Sequence, residues 1–134
     1  MREAPSYVPG HQLLAGKSVL ITAAAGAGIG FAAARKSAEE GCRALMISDI
    51  HPRRLEEAVA KLKAETGLES IWGQVCNVTN EEEVQALVAA AEEKLGGVDV
   101  LINNAGLGGE KRVTEMTDEE WSRVLDITLT GTFR

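Results

Sequence analysis

The feature that most limits the possible fold is a regular alternation between short apolar runs and segments with a helical repeat. Apolar runs of strand length lie at residues 17–22, 42–48, 70–76 and 98–103. The segments between them repeat apolar residues at spacings of three and four, as Leu55, Ala58 and Leu62 do. Apolar strands that alternate with helices favour a parallel sheet covered on both faces. Since crossover connections are right-handed, we predict an α/β fold with a doubly wound parallel sheet.

Two of the helices are expected to begin at a capping box, in which a Thr and the Glu three residues later bond to each other's backbone. Thr79 and Glu82 have this spacing before the third helix, and Thr117 and Glu120 have it before the fourth. The chain reaches Arg134 inside the fourth helical pattern, without a helix-ending residue. We therefore expect a fold truncated after the fourth strand and the start of the following helix.

The charge balance and the cysteines argue against several kinds of site. A net charge of −6 opposes binding to nucleic acid or to an anionic membrane, because both need a basic surface. No apolar run is long enough to span a bilayer. Cys42 and Cys76 lack the spacing of metal ligands, so we predict no metal site and two buried thiols in a reducing cytoplasm. Residues 1–13 are expected to form a loose polar arm without the apolar centre of a signal peptide.

A glycine-rich stretch connects the first strand to the first helix, with Gly26, Gly28 and Gly30 at every second position. The start of a helix offers unpaired N–H groups and the positive end of the helix dipole. Glycine lets the backbone approach a phosphate closely, because there is no Cβ in the way. The stretch therefore predicts a phosphate site, although glycines also serve tight packing.

Asp49 ends the second strand and is a candidate for selecting the cofactor. A carboxylate at this place can accept hydrogen bonds from both hydroxyls of an adenine ribose and repels a 2′-phosphate, which favours NAD over NADP. Alternatively, Asp49 caps the helix that follows Pro52. Arg53 and Arg54 leave the preference open, since each is either solvated or able to neutralise a phosphate.

The chain resembles the N-terminal half of the short-chain dehydrogenase/reductase family from about Leu14 to its last residue. The matching pieces are "GIG" at 28–30, Asp49, "CNVT" at 76–79, "NNAG" at 103–106 and the helical segment 116–131. This resemblance implies a partial Rossmann-type dinucleotide-binding domain over residues 14–134, preceded by the arm at 1–13.

The resemblance implies a role for particular residues around NAD, with NADP possible. Four would shape the pyrophosphate turn: Gly26, Gly28, Ile29 and Gly30. Asp49 and Ile50 would meet the adenosine ribose, and Asn77 and Val78 would flank the adenine. Near the nicotinamide ribose would lie Asn104, Ala105 and Gly106, while Asn103 would tie the strand ends together.

Three positions depart from the family's pattern. The turn after Thr22 is one residue longer and begins with alanine, which avoids positive φ, so we expect the turn to bend elsewhere, at Gly26. Asn77 stands where the family usually has Asp, and we expect its carbonyl oxygen to accept from the adenine amino group. Thr128 stands where many members carry the Asn of a proton relay, which makes it a candidate for that role.

The resemblance implies an NAD(P)-dependent oxidoreductase that transfers a hydride between the cofactor and a small-molecule ketone or secondary alcohol. The family's catalytic Ser and Tyr-x-x-x-Lys pair have no match, because the single tyrosine is Tyr7 in the arm. We therefore expect the catalytic half to be absent from this chain, and the chain alone to be inactive and poorly soluble. The resemblance also implies a homo-oligomer, tetramer or dimer, and suggests an acyl-CoA or steroid-like ketone as the substrate. Two alternatives remain open: a non-catalytic nucleotide-binding module and an S-adenosylmethionine-dependent methyltransferase.

Overall fold

The computed structural model describes residues 3–108 and 111–134 and contains one four-stranded parallel sheet. The strands are β1 (Ser18–Ile21), β2 (Ala44–Asp49), β3 (Ile71–Val75) and β4 (Val100–Ile102). The sheet order is β3-β2-β1-β4, so the chain returns across β1 before adding β4 on the other side. This order confirms the predicted doubly wound sheet.

Helices follow each strand, as the alternation predicts. They are α1 (Ile29–Glu39), α2 (Pro52–Thr66), α3 (Glu81–Leu95) and α4 (Asp118–Leu125), with a 3₁₀ turn at Val113–Glu115. α4 runs on through a π-helical segment, Asp126–Thr130, into the short α5 (Gly131–Phe133). Among the described residues, we find no helix with the length and apolarity required to cross a bilayer.

The two predicted capping boxes have different outcomes. At α4 the box is confirmed, because Thr117 and Glu120 each bond to the other's backbone. At α3 the prediction is wrong, because the N-cap is Asn80, whose Oδ1 accepts from the amides of Glu82 and Glu83 at 2.9 and 3.2 Å. Asparagine is among the strongest N-cap residues, and its place one residue later sets the start of α3.

The core consists of two apolar layers, one on each face of the sheet. Side chains that alternate along a strand point to opposite faces, so Val19 and Ile21 pack with α1 and α2 while Leu20 packs with α3. α1 and α2 contribute Phe31, Ala34, Leu55, Ala58 and Leu62, and α3 contributes Leu87, Ala91 and Leu95. Both faces are thus covered over β1 and β2, β4 is more exposed, and the carboxyl ends of all four strands lie at one edge.

The N-terminal arm is held against the C-terminal end of α1, in contrast to the loose arm expected from the sequence. Glu40 is only 5% exposed, and its carboxylate accepts from the amides of His11 and Leu13 at 2.7 and 3.2 Å. Lys36 adds an ion pair to the same carboxylate at 3.2 Å, and Tyr7 donates to Glu39. Chiefly because of the two backbone donors, the pKa of Glu40 falls to about 2.

Candidate cofactor-binding site

A cavity of about 440 Å³ lies at the carboxyl ends of the strands. It is bounded by the turns after β1 and β3, the end of β2 and the loop after β4. All residues that the resemblance assigns to the cofactor line it: Gly26, Gly28, Ile29, Gly30, Asp49, Ile50, Asn77, Val78, Asn104, Ala105 and Gly106. The topology of a doubly wound sheet thus brings together segments that are far apart in sequence.

The turn after β1 bends at Ala23, which has a φ of +52°. The expectation that alanine would avoid positive φ and that Gly26 would make the bend is therefore wrong. Asn104 donates from Nδ2 to the carbonyls of Thr22 and Ala23 at 3.0 and 2.9 Å, and the amide of Ala24 donates to Ser48 at 2.9 Å. These bonds hold a left-handed alanine whose conformation costs about 1–2 kcal/mol.

The glycines of the turn serve two different purposes. A Cβ added at Gly30 would lie 2.5 Å from Asn104 Nδ2 and 2.9 Å from the carbonyl oxygen of Ala23, so this glycine is needed for packing. A Cβ at Gly28 would meet nothing within 4 Å, and one at Gly26 only the Gly28 amide at 3.9 Å. The packing and phosphate interpretations therefore apply to different glycines, since Gly26 and Gly28 leave the backbone open toward the cavity.

The first turn of α1 is suited to an anion. Its N-cap is Gly28, which supplies no side-chain cap within the described part of the chain, and its first turn carries no acidic residue. The first amides of a helix have no partner in the helix itself and carry the positive end of its dipole. A ligand phosphate above this turn would therefore find open N–H groups.

The carboxylate of Asp49 is oriented by backbone donors from both sides. Its Oδ2 accepts from the amide of Ala25 at 3.2 Å, and its Oδ1 accepts from the amide of His51 at 3.1 Å. The N-cap of α2 is His51, without a side-chain cap bond in the described part of the chain, so the alternative that Asp49 caps this helix is wrong. The Asp49 carboxylate bonds to the amide just before the helix and also lines the cavity. Asp49 thus joins the turn after β1 to the start of α2 while it faces the site.

The two arginines left open by the sequence differ in position. Arg54 lines the cavity, whereas Arg53 points away and pairs with Glu57 on the exposed side of α2 at 3.8 Å. Residues four apart on a helix lie on one face, whereas adjacent residues such as Arg53 and Arg54 do not. Of the two arginines, it is therefore Arg54 that lines the same cavity as Asp49.

The side-chain oxygen of Asn77 is bonded within its own turn. Its Oδ1 accepts from both the amide and the hydroxyl of Thr79, at 3.0 and 2.8 Å. A carbonyl oxygen has two lone pairs, so this oxygen has none left for an adenine amino group. The expectation that the oxygen serves the adenine is therefore wrong.

Burial and the nearby Glu83 raise the pKa of the neighbouring Cys76, which keeps it a thiol.

The loop after β4 is attached through Asn104 and Thr128. Asn104, and not Asn103 as the sequence suggested, bonds to the end of β1. The hydroxyl of Thr128 accepts from the amide of Leu107 at 3.1 Å and donates to its carbonyl at 3.4 Å. Thr128 therefore holds the loop and lies outside the cavity lining.

Several further residues line the cavity that the sequence did not indicate. They are Ala23, Ala25, Phe31, His51, Cys76, Leu107, Arg123 and Ile127. Arg123 and Ile127 are four apart on the α4 segment and therefore share one face. This spacing was visible in the sequence, but the path of the loop that brings this face to the cavity was not.

The chain matches the family model described as short chain dehydrogenase over residues 17–134. It is 51% identical over 131 residues to the (5R,7aS)-5-hydroxy-7a-methyl-1-oxo-2,3,5,6,7,7a-hexahydro-1H-indene-carboxyl-CoA reductase of Mycobacterium tuberculosis (strain ATCC 25618 / H37Rv), covering 98% of this chain and 49% of that protein.

Solved structures show the same similarity. The crystal structure of a short chain dehydrogenase from Mycobacterium smegmatis gives a TM-score of 0.91 at 53% identity, over 98% of this chain and 54% of that one. L-sorbose reductase from Gluconobacter frateurii, complexed with NADPH and L-sorbose, gives a TM-score of 0.81 at 31% identity, over 90% and 44%. The chain thus spans about half the length of the relatives it matches.

Proposed function

The chain belongs to the short-chain dehydrogenase family, and we propose that it forms the nicotinamide-dinucleotide-binding part of an oxidoreductase acting on a carbonyl or secondary alcohol. The observation that carries this proposal is that the turn after β1, Asp49 and the Asn104–Gly106 segment line one cavity. Crevices at this edge of a doubly wound sheet are where such folds bind dinucleotides. The reductases among the relatives favour this function over a methyltransferase or a module without catalysis.

Each part of the dinucleotide has matching residues in this chain. The open backbone at Gly26 and Gly28 and the first amides of α1 would hold the diphosphate. Asp49 would accept from the ribose hydroxyls, and the residues after β3 would flank the base. When bound, the cofactor supplies or accepts the hydride, and the Asn104–Gly106 segment would position its nicotinamide end. This assignment makes residues 14–134 the dinucleotide-binding domain.

We propose NAD as the preferred cofactor, with NADP accepted through Arg54. The carboxylate of Asp49 repels a 2′-phosphate, while the guanidinium of Arg54 in the same cavity attracts it. The NADPH complex of L-sorbose reductase supports the ability of this family's site to take the phosphorylated cofactor. The balance between the two charges therefore sets the preference.

Calorimetric titration of the intact protein with NADH and NADPH tests this function. We expect both to bind and NADH to bind more tightly. Arg54→Ala should weaken NADPH roughly fivefold to tenfold, because one charge-assisted bond is lost, and leave NADH nearly unchanged. Arg53→Ala is the matched control and should alter neither. If neither dinucleotide binds, the proposed function is wrong; if Arg53→Ala weakens NADPH as much as Arg54→Ala does, the phosphate contact is wrong.

The proton-transfer groups of the reaction belong, in this proposal, to a part of the protein outside residues 1–134, since the chain spans about half the length of its relatives. The 51% identity to the Mycobacterium tuberculosis enzyme supports a bicyclic ketone or alcohol carried on coenzyme A as the substrate class. Oxidation of NADH by the intact protein with such a CoA ester, compared with the free acid, tests this class. Equal rates with both would contradict it.

We also propose that the intact protein is a cytoplasmic homo-oligomer, a dimer or tetramer. α4 and the segment after it carry large apolar side chains at intervals of four residues, and these are exposed: Trp121, Leu125, Leu129 and Phe133. Two buried free thiols agree with a reducing compartment. Light scattering of the intact protein and of Trp121→Glu tests the assembly, and the variant should have the smaller mass.

A further inference from the structure

The orientation of the Asn77 amide is set by the backbone. The N–H of Thr79 lies 3.0 Å from Oδ1 and can only donate, so the oxygen must be the atom that faces it. The Thr79 hydroxyl occupies the second lone pair at 2.8 Å. What Asn77 offers to the cavity is therefore its Nδ2 group, which carries two N–H donors and no acceptor.

Asn77 lies at the end of the cavity that suits a base. A second hollow of about 520 Å³ adjoins the first and shares four of its lining residues, Ile50, Asn77, Arg123 and Ile127. The two isoleucines provide apolar walls for a flat ring. With the ribose at Asp49, the base extends beyond it, and the edge farthest from the ribose carries the six-position group and the neighbouring ring nitrogen.

We propose that Asn77 is a specificity-determining residue that reads a hydrogen-bond acceptor on the cofactor's base, and that the amino group of adenine is not recognised. This inference rests on the proposed function. It predicts that the site accepts a base that lacks N–H groups altogether, provided that the base has a lone pair at the same edge. A carboxylate in place of Asn77 would require the opposite, a donor on the base.

The 1,N6-etheno derivative of NAD⁺ distinguishes these two requirements. Its base has no N–H group, and the nitrogen attached to C6 carries a lone pair in place of the adenine N–H. Adenine can satisfy either residue, because it has a ring-nitrogen acceptor beside its amino donor. The ratio of the dissociation constants for the etheno derivative and NAD⁺ therefore reports whether residue 77 presents a donor or an acceptor to the base. A change in affinity that is equal for both ligands cancels in this ratio.

The experiment measures this ratio by calorimetry for the intact protein and its variants. Asn77→Asp keeps an acceptor for both Thr79 donors but presents an acceptor to the base, and should raise the ratio roughly tenfold. Asn77→Ala removes the donor alone and should raise it less. Asn80→Asp is the matched control, because it adds the same charge at the N-cap of α3, outside the cavity lining, and should change the ratio less than twofold.

The possible outcomes separate this inference from the proposed function. A rise of at least threefold for Asn77→Asp, absent from Asn80→Asp, supports it. If the ratio rises less than threefold or falls for Asn77→Asp, or rises equally for Asn80→Asp, the inference is wrong. Binding of NAD⁺ in the same experiment would still support the proposed function. If neither dinucleotide binds to the unmodified protein, the proposed function and this inference fail together. Melting curves of the variants verify that each is folded.

Discussion

The left-handed conformation of Ala23 stores strain next to the site. We expect Ala23→Gly to stabilise the intact protein by up to about 1 kcal/mol, because glycine adopts positive φ freely and offsets only part of that gain by its flexibility when unfolded. Ala24→Gly is the control: Ala24 is fully buried, and φ there is not positive, so this change should destabilise by about 1 kcal/mol. Urea denaturation measures both. If Ala23→Gly and Ala24→Gly destabilise the protein equally, the conformation of Ala23 is not strained.

At single residues, the sequence predicts which residues meet but not which atoms are free. The cofactor positions could be predicted because each motif follows a strand, and parallel strands end at one edge. The use of the Asn77 oxygen by Thr79, and the support of Ala23 by Asn104, depend on hydrogen bonds that only the folded chain forms. In the second case the partners are 81 residues apart in sequence.

At the scale of elements, the existence of each helix could be predicted from the sequence, but the exact cap residue could not. Each of the two threonines is followed by a residue that caps at least as well, yet Thr117 caps α4 ahead of Asp118 whereas Asn80 takes the place of Thr79 at α3. Thr79 is then free to bond to Asn77, which orients that side chain at the site. A shift of one residue in a helix start therefore changes the chemistry of the cavity.

The contact between the arm and α1 should make stability depend on acid. The folded pKa of Glu40, about 2, lies below the ordinary value of 4.5, so the charged carboxylate stabilises the fold above pH 4.5. This stabilisation is lost as the pH falls from 4.5 toward 2. We expect Glu40→Gln to melt at a lower temperature than the unmodified protein at pH 7, with the difference shrinking below pH 4.5.

Thermal melts of both proteins between pH 7 and pH 2.5 measure this dependence. Glu92→Gln, at an exposed position on α3, serves as the control and should show a small, nearly constant difference. A difference for Glu40→Gln that stays constant over the whole range would mean that the charge of Glu40 does not hold the arm.

At the scale of the whole molecule, β4 leaves one edge of the sheet open in the 134-residue chain. Leu101 on this strand is 53% exposed, and an apolar edge strand invites pairing with another chain. We expect the chain alone to associate at micromolar concentration and Leu101→Lys to reduce this association, as seen by light scattering. Leu13→Lys, on the arm and 74% exposed, is the control. If the chain with its own sequence is already monodisperse at this concentration, the prediction is wrong.

The same 134 residues should bind a dinucleotide without turning over a ketone. Reduction of a carbonyl needs a proton donor at the oxygen, and the hydroxyls of Thr128 and Tyr7 are both bonded elsewhere. Thr128 is bonded to the backbone of Leu107. Tyr7 donates to Glu39 at the far end of α1, roughly 15 Å along the helix from its first turn.

An NADH oxidation assay with the CoA-linked ketone tests this expectation. The chain alone should show no rate above the background, and Tyr7→Phe should leave that unchanged, whereas the intact protein should oxidise NADH. A rate in the chain alone that Tyr7→Phe abolishes would show that the arm reaches the cavity and would overturn its placement at the C-terminal end of α1. If the chain alone binds NADH without turnover, cofactor binding needs only these residues, and proton transfer needs residues that follow β4 in the intact protein.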